Sequence, residues 1–404
     1  EKRHRAGPAY PSVLAGNPPG APKYAVTVKA KDGSAVKVAD PKITRLAVAL
    51  MDMNAVHGGA ACHWGGPSGF AEIMAAIHGV MYRAADWRKA FNFANDAGHC
   101  ENGIYALKAN YGQAGVTFAD LKGFRAISSK LSGHGEGHLF PEGVCVSNGP
   151  LGSSLPIAQG LALADKVAGN DRVTLCAISD GAMMEGEAKE AVAAIPGFAA
   201  KKQINPFVLV LSDNDTKLSG RITEQSFCMK PSFEALDDLG WVVIQVDGHD
   251  VQAMYSAVET AVEKARGGLA VAIWAKTIKG KGVASTEKSS SGGHGYPLKN
   301  GSEVRKFAEE INGGPVTDPL FAGWIKELED EFAAKQAKAA AKPKTDAPKT
   351  DKVQAGFPKA MKACADEGLP VVSVGSDLAG STGVAPFVSA YPQFSLDVGI
   401  AEQH

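Results

Sequence analysis

Four short apolar runs, at 173–178, 207–211, 241–246 and 269–275, constrain this chain more than any other feature of its 404 residues. Each shows little polar alternation, the pattern of a strand covered on both faces. Between them, 152–167, 185–200 and 251–265 read as amphipathic or apolar helices. Strand and helix in strict alternation imply an α/β fold, a parallel sheet flanked by helices.

The same alternation divides the chain. Residues 1–42, rich in Pro and Gly, read as an extended arm, and 43–334 as the principal α/β domain. Residues 335–352 end in a Pro/Lys/Thr/Asp stretch that cannot build a core and read as a linker, although their Ala/Lys start can end a helix. A helix at 356–366 and a strand at 371–374 then open a second α/β domain over 353–404. About fifty residues are too few to complete one. The expectation is that its remainder is missing or comes from another polypeptide.

Composition excludes several partner classes. With 42 basic and 43 acidic residues, the chain has no electrostatic case for nucleic acid. Its longest apolar run, 269–275, is far short of a membrane span. The six cysteines stand singly, without zinc-finger or disulfide spacing. The charged N-terminus lacks a signal-peptide pattern. A reducing, cytoplasmic setting is the default expectation.

No dinucleotide fingerprint, P-loop or serine-hydrolase elbow follows any strand. What stands at two strand ends is Ser179-Asp180-Gly181 and Ser212-Asp213-Asn214-Asp215. Parallel neighbours bring both turns to the carboxyl edge of the sheet, where open α/β folds bind ligands. Asp180 and Asn214 offer a carboxylate and an amide oxygen, hard donors suited to Mg²⁺ or Ca²⁺. Gly181 lets a diphosphate approach the backbone, and the helix starting near Glu185 is expected to aim its positive end at that charge. The alternative is that both residues merely cap turns and helices.

The surroundings resemble the thiamine-diphosphate enzymes, most closely the transketolases. Ser179-Asp180-Gly181, 32 residues (182–213) and Asn214 are similar to their G-D-G…N motif. Cys62-His63-Trp64-Gly65-Gly66-Pro67, Ala97-Gly98-His99, Ser132-Gly133-His134-Gly135-Glu136 and Gly149-Pro150-Leu151-Gly152 resemble further family motifs, in order. So do Asp247-Gly248-His249-Asp250, Ala275-Lys276-Thr277-Ile278-Lys279-Gly280, His294-Gly295-Tyr296-Pro297-Leu298 and Gly399-Ile400-Ala401-Glu402-Gln403. The likeness covers roughly 46–300 and 370–404.

The resemblance implies a diphosphate-binding domain and the start of a pyrimidine-binding domain. It implies that Asp180, Asn214 and the Thr216 carbonyl hold Mg²⁺ (or Ca²⁺), with Gly181 against the diphosphate of thiamine diphosphate. Gly149 and Leu151 would flank the aminopyrimidine, and Glu402 would bond its ring nitrogen and so favour the ylid. His63, His99, His134 and His294 would surround cofactor and substrate as proton carriers, and Ser381 would contact a sugar phosphate. The implied reaction moves a two-carbon ketol unit from a ketose (phosphate) to an aldose (phosphate) in a homodimer with shared active sites.

Departures are Ser179 for the first Gly, Trp64 for a Pro, a slightly long spacer with 203–206 as a plausible extra loop, and no clear counterpart to the family's phosphate-gripping Arg. Lys349 to Gln354 is where that Arg is expected. His57 and His138 match no motif, and His249 reads as a turn residue. Two alternatives stay open. One is a deoxyxylulose-phosphate-synthase-like enzyme, which the segment Asp397 to His404 also resembles. The other is a half-site or non-catalytic subunit that needs a partner chain.

Overall fold

A computed structural model describes residues 13–340 and 352–403. Where the sequence reads as an extended arm, it forms a hairpin, β1 (Ala25–Lys29) against β2 (Ala35–Ala39). The cause is local. Val28 and Val38 alternate with polar neighbours and are buried, and Asp32-Gly33 make the tight turn between the strands. The next helix, Pro41–His57, begins at a proline, with the Asp40 side chain accepting the Lys42 N–H as its cap.

The central sheet has β3 (Phe91–Asn95), β4 (Val173–Ser179), β5 (Phe207–Asp213), β6 (Val242–Asp247) and β7 (Ala270–Lys276). All pairs are parallel, in the order β3-β4-β5-β7-β6. Side chains alternate between two apolar faces. Val208 and Val210 of β5 enter one core with Val173, Leu175, Val271 and Ile273. Phe207, Leu209 and Leu211 enter the other with Cys176, Ile178 and Trp274. Helices Ala71–Met81 and Val251–Arg266 cover the first face, and Ser154–Ala168 with Gly186–Ala200 cover the second. A third layer packs Pro41–His57 against Val304–Asn312 and Pro319–Ala340.

β3 has no apolar run to announce it. Its sequence Phe-Asn-Phe-Ala-Asn holds two amides, and Asn92 is buried because its amide donates to Asp165 at 2.6 Å and to Thr174 at 3.2 Å. The helix Pro319–Ala340 runs six residues into the expected linker, since Ala, Lys and Gln favour helix. The remaining linker residues 341–351, residues 1–12 and His404 lie outside the described residues.

After the helix Gly356–Asp366 comes a small parallel pair, β8 (Ser373–Gly375) with β9 (Ser395–Asp397). The sequence placed this strand at 371–374; Val371 and Val372 instead precede it. Val372, Val374 and Leu396 stay exposed. Among the described residues, no helix is long and apolar enough to cross a membrane, and all six cysteines are free thiols.

Candidate cofactor and substrate site

β4 and β5 end side by side, with Ser179 opposite Ser212 and the Asp180 N–H donating to the Ser212 carbonyl at 3.0 Å. The Asp180 carboxylate ties the two tips together. One oxygen accepts the Gly181 N–H at 2.9 Å, and the other accepts the N–H groups of Asn214 and Asp215 at 2.7 and 2.6 Å. Ser179 does useful work where the family motif has Gly, because its Oγ accepts the Ala182 N–H at 3.2 Å and closes the turn. Asp215 turns the chain at φ 55°, held by its carboxylate accepting from the Thr223 N–H and hydroxyl.

Lys279 lines this tip without forming an ion pair with Asp180. Asp180 is buried with no ion-pair partner among the described residues, and burial, aided by the nearby Asp213 carboxylate, lifts its pKa to about 7. Asn214 Oδ1 is buried and accepts no hydrogen bond. Both residues line a cavity of about 30 Å³ with Gly181, Thr216 and Lys279. That is room for one ion or water. A carboxylate, an orphaned amide oxygen and a carbonyl form a hard donor set, so the residues present fit a divalent cation. Among the described residues, no cluster of three His, Cys, Asp or Glu side chains offers a rival metal site.

The C-terminal segment closes this edge. A Cβ at Gly181 would lie 2.7 Å from Ile400 Cδ1, so a larger residue there would push the tip of Ile400 aside. Gln403 Oε1 accepts the Glu187 N–H at 3.0 Å, at the start of the helix Gly186–Ala200. The expectation that this helix end faces a diphosphate is corrected here. The short 3₁₀ turn Ala182–Met184 intervenes, and Gln403 occupies a first-turn donor.

A second cavity, of about 190 Å³, shares His99, Leu151, Leu218, His294 and Ile400 with the first. It brings together His63, His99, His134, His294, Gly149, Leu151 and Glu402. Ring centres lie 5.4 Å apart for His63 and His99, 6.2 Å for His63 and His134, 5.1 Å for His63 and His294, and 5.3 Å for His99 and His294.

Each ring is held by its backbone. His63 pairs with Gly295 in an isolated antiparallel bridge, and the Trp64 N–H donates to the His294 carbonyl at 3.2 Å. Trp64 is fully buried on Phe307, with its indole N–H donating to Thr286 at 3.1 Å, which accounts for the large residue beside His63. Asn148 accepts the Gly135 N–H at 2.7 Å and donates to the Asn95 carbonyl at 3.0 Å, drawing the His134 loop to the end of β3. Asp96 accepts the N–H groups of Gly152 and Ser154 at 2.8 and 2.9 Å and so anchors the Gly149–Leu151 turn.

Electrostatically this cavity is the opposite of the first. Burial, together with neighbouring cations and imidazoles, lowers the pKa of His63 to about 4 and depresses His99, His134 and His294. All four are neutral near pH 7.

Glu402 and Asp377 bring carboxyl groups to this cavity. Glu402 hydrogen-bonds Glu185, whose pKa is raised to about 8 by burial and by this second carboxyl. Ser381 is not brought to either cavity. It lines a separate one, of about 470 Å³, with Lys352, Lys359 and Lys362. The C-terminal segment is fastened instead by Lys217, fully buried, which donates to Asp377 at 2.7 Å and Asp397 at 3.1 Å.

Three participants escape sequence reasoning: Lys279, Glu185 and Lys217. Lys279 stands inside a quoted motif yet looks like any surface lysine, Glu185 meets Glu402 of the C-terminal segment, and Lys217 adds Asp377 and Asp397 of that segment to its local partners Ser219 and Gln225. His249, read as a turn residue, accepts the Ile278 N–H at 2.7 Å and pairs with Glu72 at 3.2 Å.

A parallel α/β sheet whose carboxyl edge joins a pocket of oxygen donors to a cluster of imidazoles is the architecture of a ligand-binding α/β protein. The comparisons narrow it. Residues 42–367 match the family described as "Transketolase, thiamine diphosphate binding domain", and the chain belongs to the transketolase family of thiamine-diphosphate-dependent enzymes. It is 30% identical over 328 residues to a transketolase of Rhodobacter capsulatus, covering 77% of this chain and 46% of that protein. It is 32% identical over 267 residues to transketolase 2 of Xanthobacter flavus, covering 62% and 37%. The chain thus spans less than half the length of these relatives.

Among solved structures, transketolase from Leishmania mexicana superposes with a TM-score of 0.55 at 22% identity, covering 90% of this chain and 61% of that one. A Pichia stipitis transketolase variant in complex with fructose-6-phosphate gives 0.57 at 20%, covering 89% and 60%. These two likenesses carry the fold.

Proposed function

We propose that this chain forms the diphosphate-binding part of a transketolase-type transferase that moves a two-carbon ketol unit from a ketose phosphate to an aldose phosphate. The carrying observation is a buried carboxylate with no direct ion-pair partner among the described residues, beside an orphaned amide oxygen and opening onto four neutral histidines. Asp180, Asn214 and the Thr216 carbonyl would hold Mg²⁺ or Ca²⁺. Gly181 would leave space for the diphosphate once Ile400 moves aside, and Gly149 and Leu151 would flank the pyrimidine. Thiamine diphosphate, when bound, supplies a nucleophilic carbon and an electron sink for cleaving a bond beside a carbonyl.

The chain's own residues do the rest. Glu402, hydrogen-bonded to Glu185, would hydrogen-bond a pyrimidine ring nitrogen. His63, His99, His134 and His294, being neutral, can each accept a proton at one nitrogen while donating at the other, as movement of protons between sugar hydroxyls requires. A sugar-phosphate substrate is supported by the fructose-6-phosphate bound in the Pichia stipitis relative. Ser381 and its three neighbouring lysines are the groups here that suit a phosphate.

The division into a diphosphate-binding domain at 43–334, a linker at 335–352 and the start of a pyrimidine-binding domain at 353–404 belongs to the same reading. So do a dimer, or a partner chain completing that domain, and a cytoplasmic setting. The bare apolar face of the β8–β9 pair, with Val372, Val374 and Leu396 exposed, supports further structure covering it. Assay of ketol transfer from a ketose phosphate, with the completing polypeptide present, tests the proposal. Release of CO₂ from pyruvate with glyceraldehyde phosphate, without ketol transfer, would assign the chain to the synthase instead.

A further inference from the structure

Three buried polar side chains, from segments that carry the imidazoles, meet at one oxygen atom. Glu101 opens the helix Glu101–Tyr111, just after His99, and its Oε2 lies 3.0 Å from Asn95 Nδ2 and 3.1 Å from Asn148 Nδ2. Backbone groups settle which way each amide points. The Gly135 N–H can only donate, so the Asn148 atom 2.7 Å from it is the oxygen. The carbonyls of Asn95 and Ala97 can only accept, so the atoms 3.0 and 3.1 Å from them are Asn148 Nδ2 and Asn95 Nδ2. Each amide nitrogen has two hydrogens, one given to a backbone carbonyl and the other directed at Glu101. Glu101 Oε2 therefore accepts twice and bears no hydrogen.

Each asparagine governs a different wall of the imidazole cavity. Asn95 ends β3 and holds the Ala97 carbonyl, immediately before the turn Gly98–Cys100 that presents His99. Asn148 holds Gly135, next to His134, and itself precedes Gly149. Packing leaves no slack between them. A Cβ at Gly98 would lie 2.6 Å from Asn148 Oδ1 and 2.7 Å from the Gly149 nitrogen, and one at Gly135 would lie 3.0 Å from Asn148 Nδ2 and 3.1 Å from Glu101 Cδ. Asn95 Oδ1 is buried and accepts no hydrogen bond, so the two donations from its nitrogen are what orient that side chain. Removing the Glu101 oxygen would leave two buried N–H groups without an acceptor, which a packed interior penalises.

We propose that Glu101 is a positioning residue whose one acceptor oxygen, by holding the amides of Asn95 and Asn148 together, sets His99, His134 and Gly149 in register. Without it, the contact of Asn148 with the Asn95 carbonyl is the one of these ties left between β3 and the 134–149 segment, and the Asn95 amide is free to turn. The inference rests on the proposed function only in giving those three residues a cofactor and a substrate to face.

Side-chain spectra of the full chain, with ¹⁵N-labelled asparagine and histidine and no cofactor, test it. In the wild type, both Nδ2 hydrogens of Asn95 and of Asn148 are expected to be protected from exchange with solvent. In Glu101→Leu one hydrogen of each pair loses protection, and the ring signals of His99 and His134 move with them. Glu101→Gln keeps an acceptor oxygen and should restore both sets of signals. Freely exchanging amides in the wild type overturn the proposal. So does a folded Glu101→Leu with unchanged amides or unchanged rings, or a folded Glu101→Gln that behaves like Glu101→Leu. The wild-type spectrum decides alone if neither variant folds. Titration with thiamine diphosphate and Mg²⁺ separates the two readings. Glu101→Leu should bind about tenfold more weakly than the wild type, and equal binding by that variant overturns the positioning role. No binding by the wild type would count against the proposed function and leave the amide and ring results intact.

Discussion

The two adjoining cavities are built from the same sheet edge and want opposite things. At the tips of β4 and β5, oxygen atoms converge, and burial raises the pKa of the Asp180 carboxyl to about 7. A few ångströms along, imidazoles converge under burial and neighbouring positive charge, and are held neutral. One site gathers oxygen donors, and the other gathers neutral rings. Lys279 stands where they meet, lining the oxygen cavity with its Nζ 3.0 Å from His294 Nδ1.

The largest effect expected from breaking the contrast is at Asp180. Asp180→Ala removes the one carboxylate of the donor set and unties Asn214 from β4, so all metal-dependent cofactor binding should vanish in calorimetric titration. Metal-dependent binding that persists in this variant would show that the oxygen cavity is not the cation site.

The imidazole side should reveal itself through pH. His63 titrates near 4 in the folded chain, against roughly 6.5 when unfolded. Between those values the unfolded chain binds the extra proton and the folded one does not, so stability falls as pH falls through that window. The loss is of order 2 kcal/mol from this one group between pH 6.5 and 4. Denaturant midpoints measured across the window check it, and His63→Gln should flatten that part of the slope. A slope identical in the variant would contradict the assignment.

The smallest effect is expected at Ser179. Ser179→Ala loses the bond to the Ala182 N–H and should lower stability by about 1 kcal/mol, read from the urea midpoint, while metal-dependent binding persists. Loss of that binding would mean that the turn depends on the hydroxyl more than its geometry indicates.

Legibility in the sequence follows the same physical division. β4, β5 and β7 announce themselves because both faces are apolar, and their tips bring Asp180 and Asn214 together as the motif spacing anticipates. β3 hides because Asn92 spends its polarity on Asp165 and Thr174, partners distant in sequence. The hairpin at 25–39 hides within a Pro/Gly-rich arm although its alternation is visible in retrospect. The four histidines converge in one cavity, whereas Ser381 lies in another. Lys279 and Glu185 could not be singled out, since a buried lysine and a carboxyl hydrogen-bonded to another are properties of neighbours, and here those neighbours lie 15 residues away at His294 and over two hundred away at Glu402.

Calorimetric titration of the full chain with thiamine diphosphate, in Mg²⁺ and again in excess chelator, tests the central claim most directly. Saturable binding in Mg²⁺ that disappears on chelation is the predicted result. Equal binding in both, or none in either, would contradict a cation-mediated diphosphate site at the ends of β4 and β5.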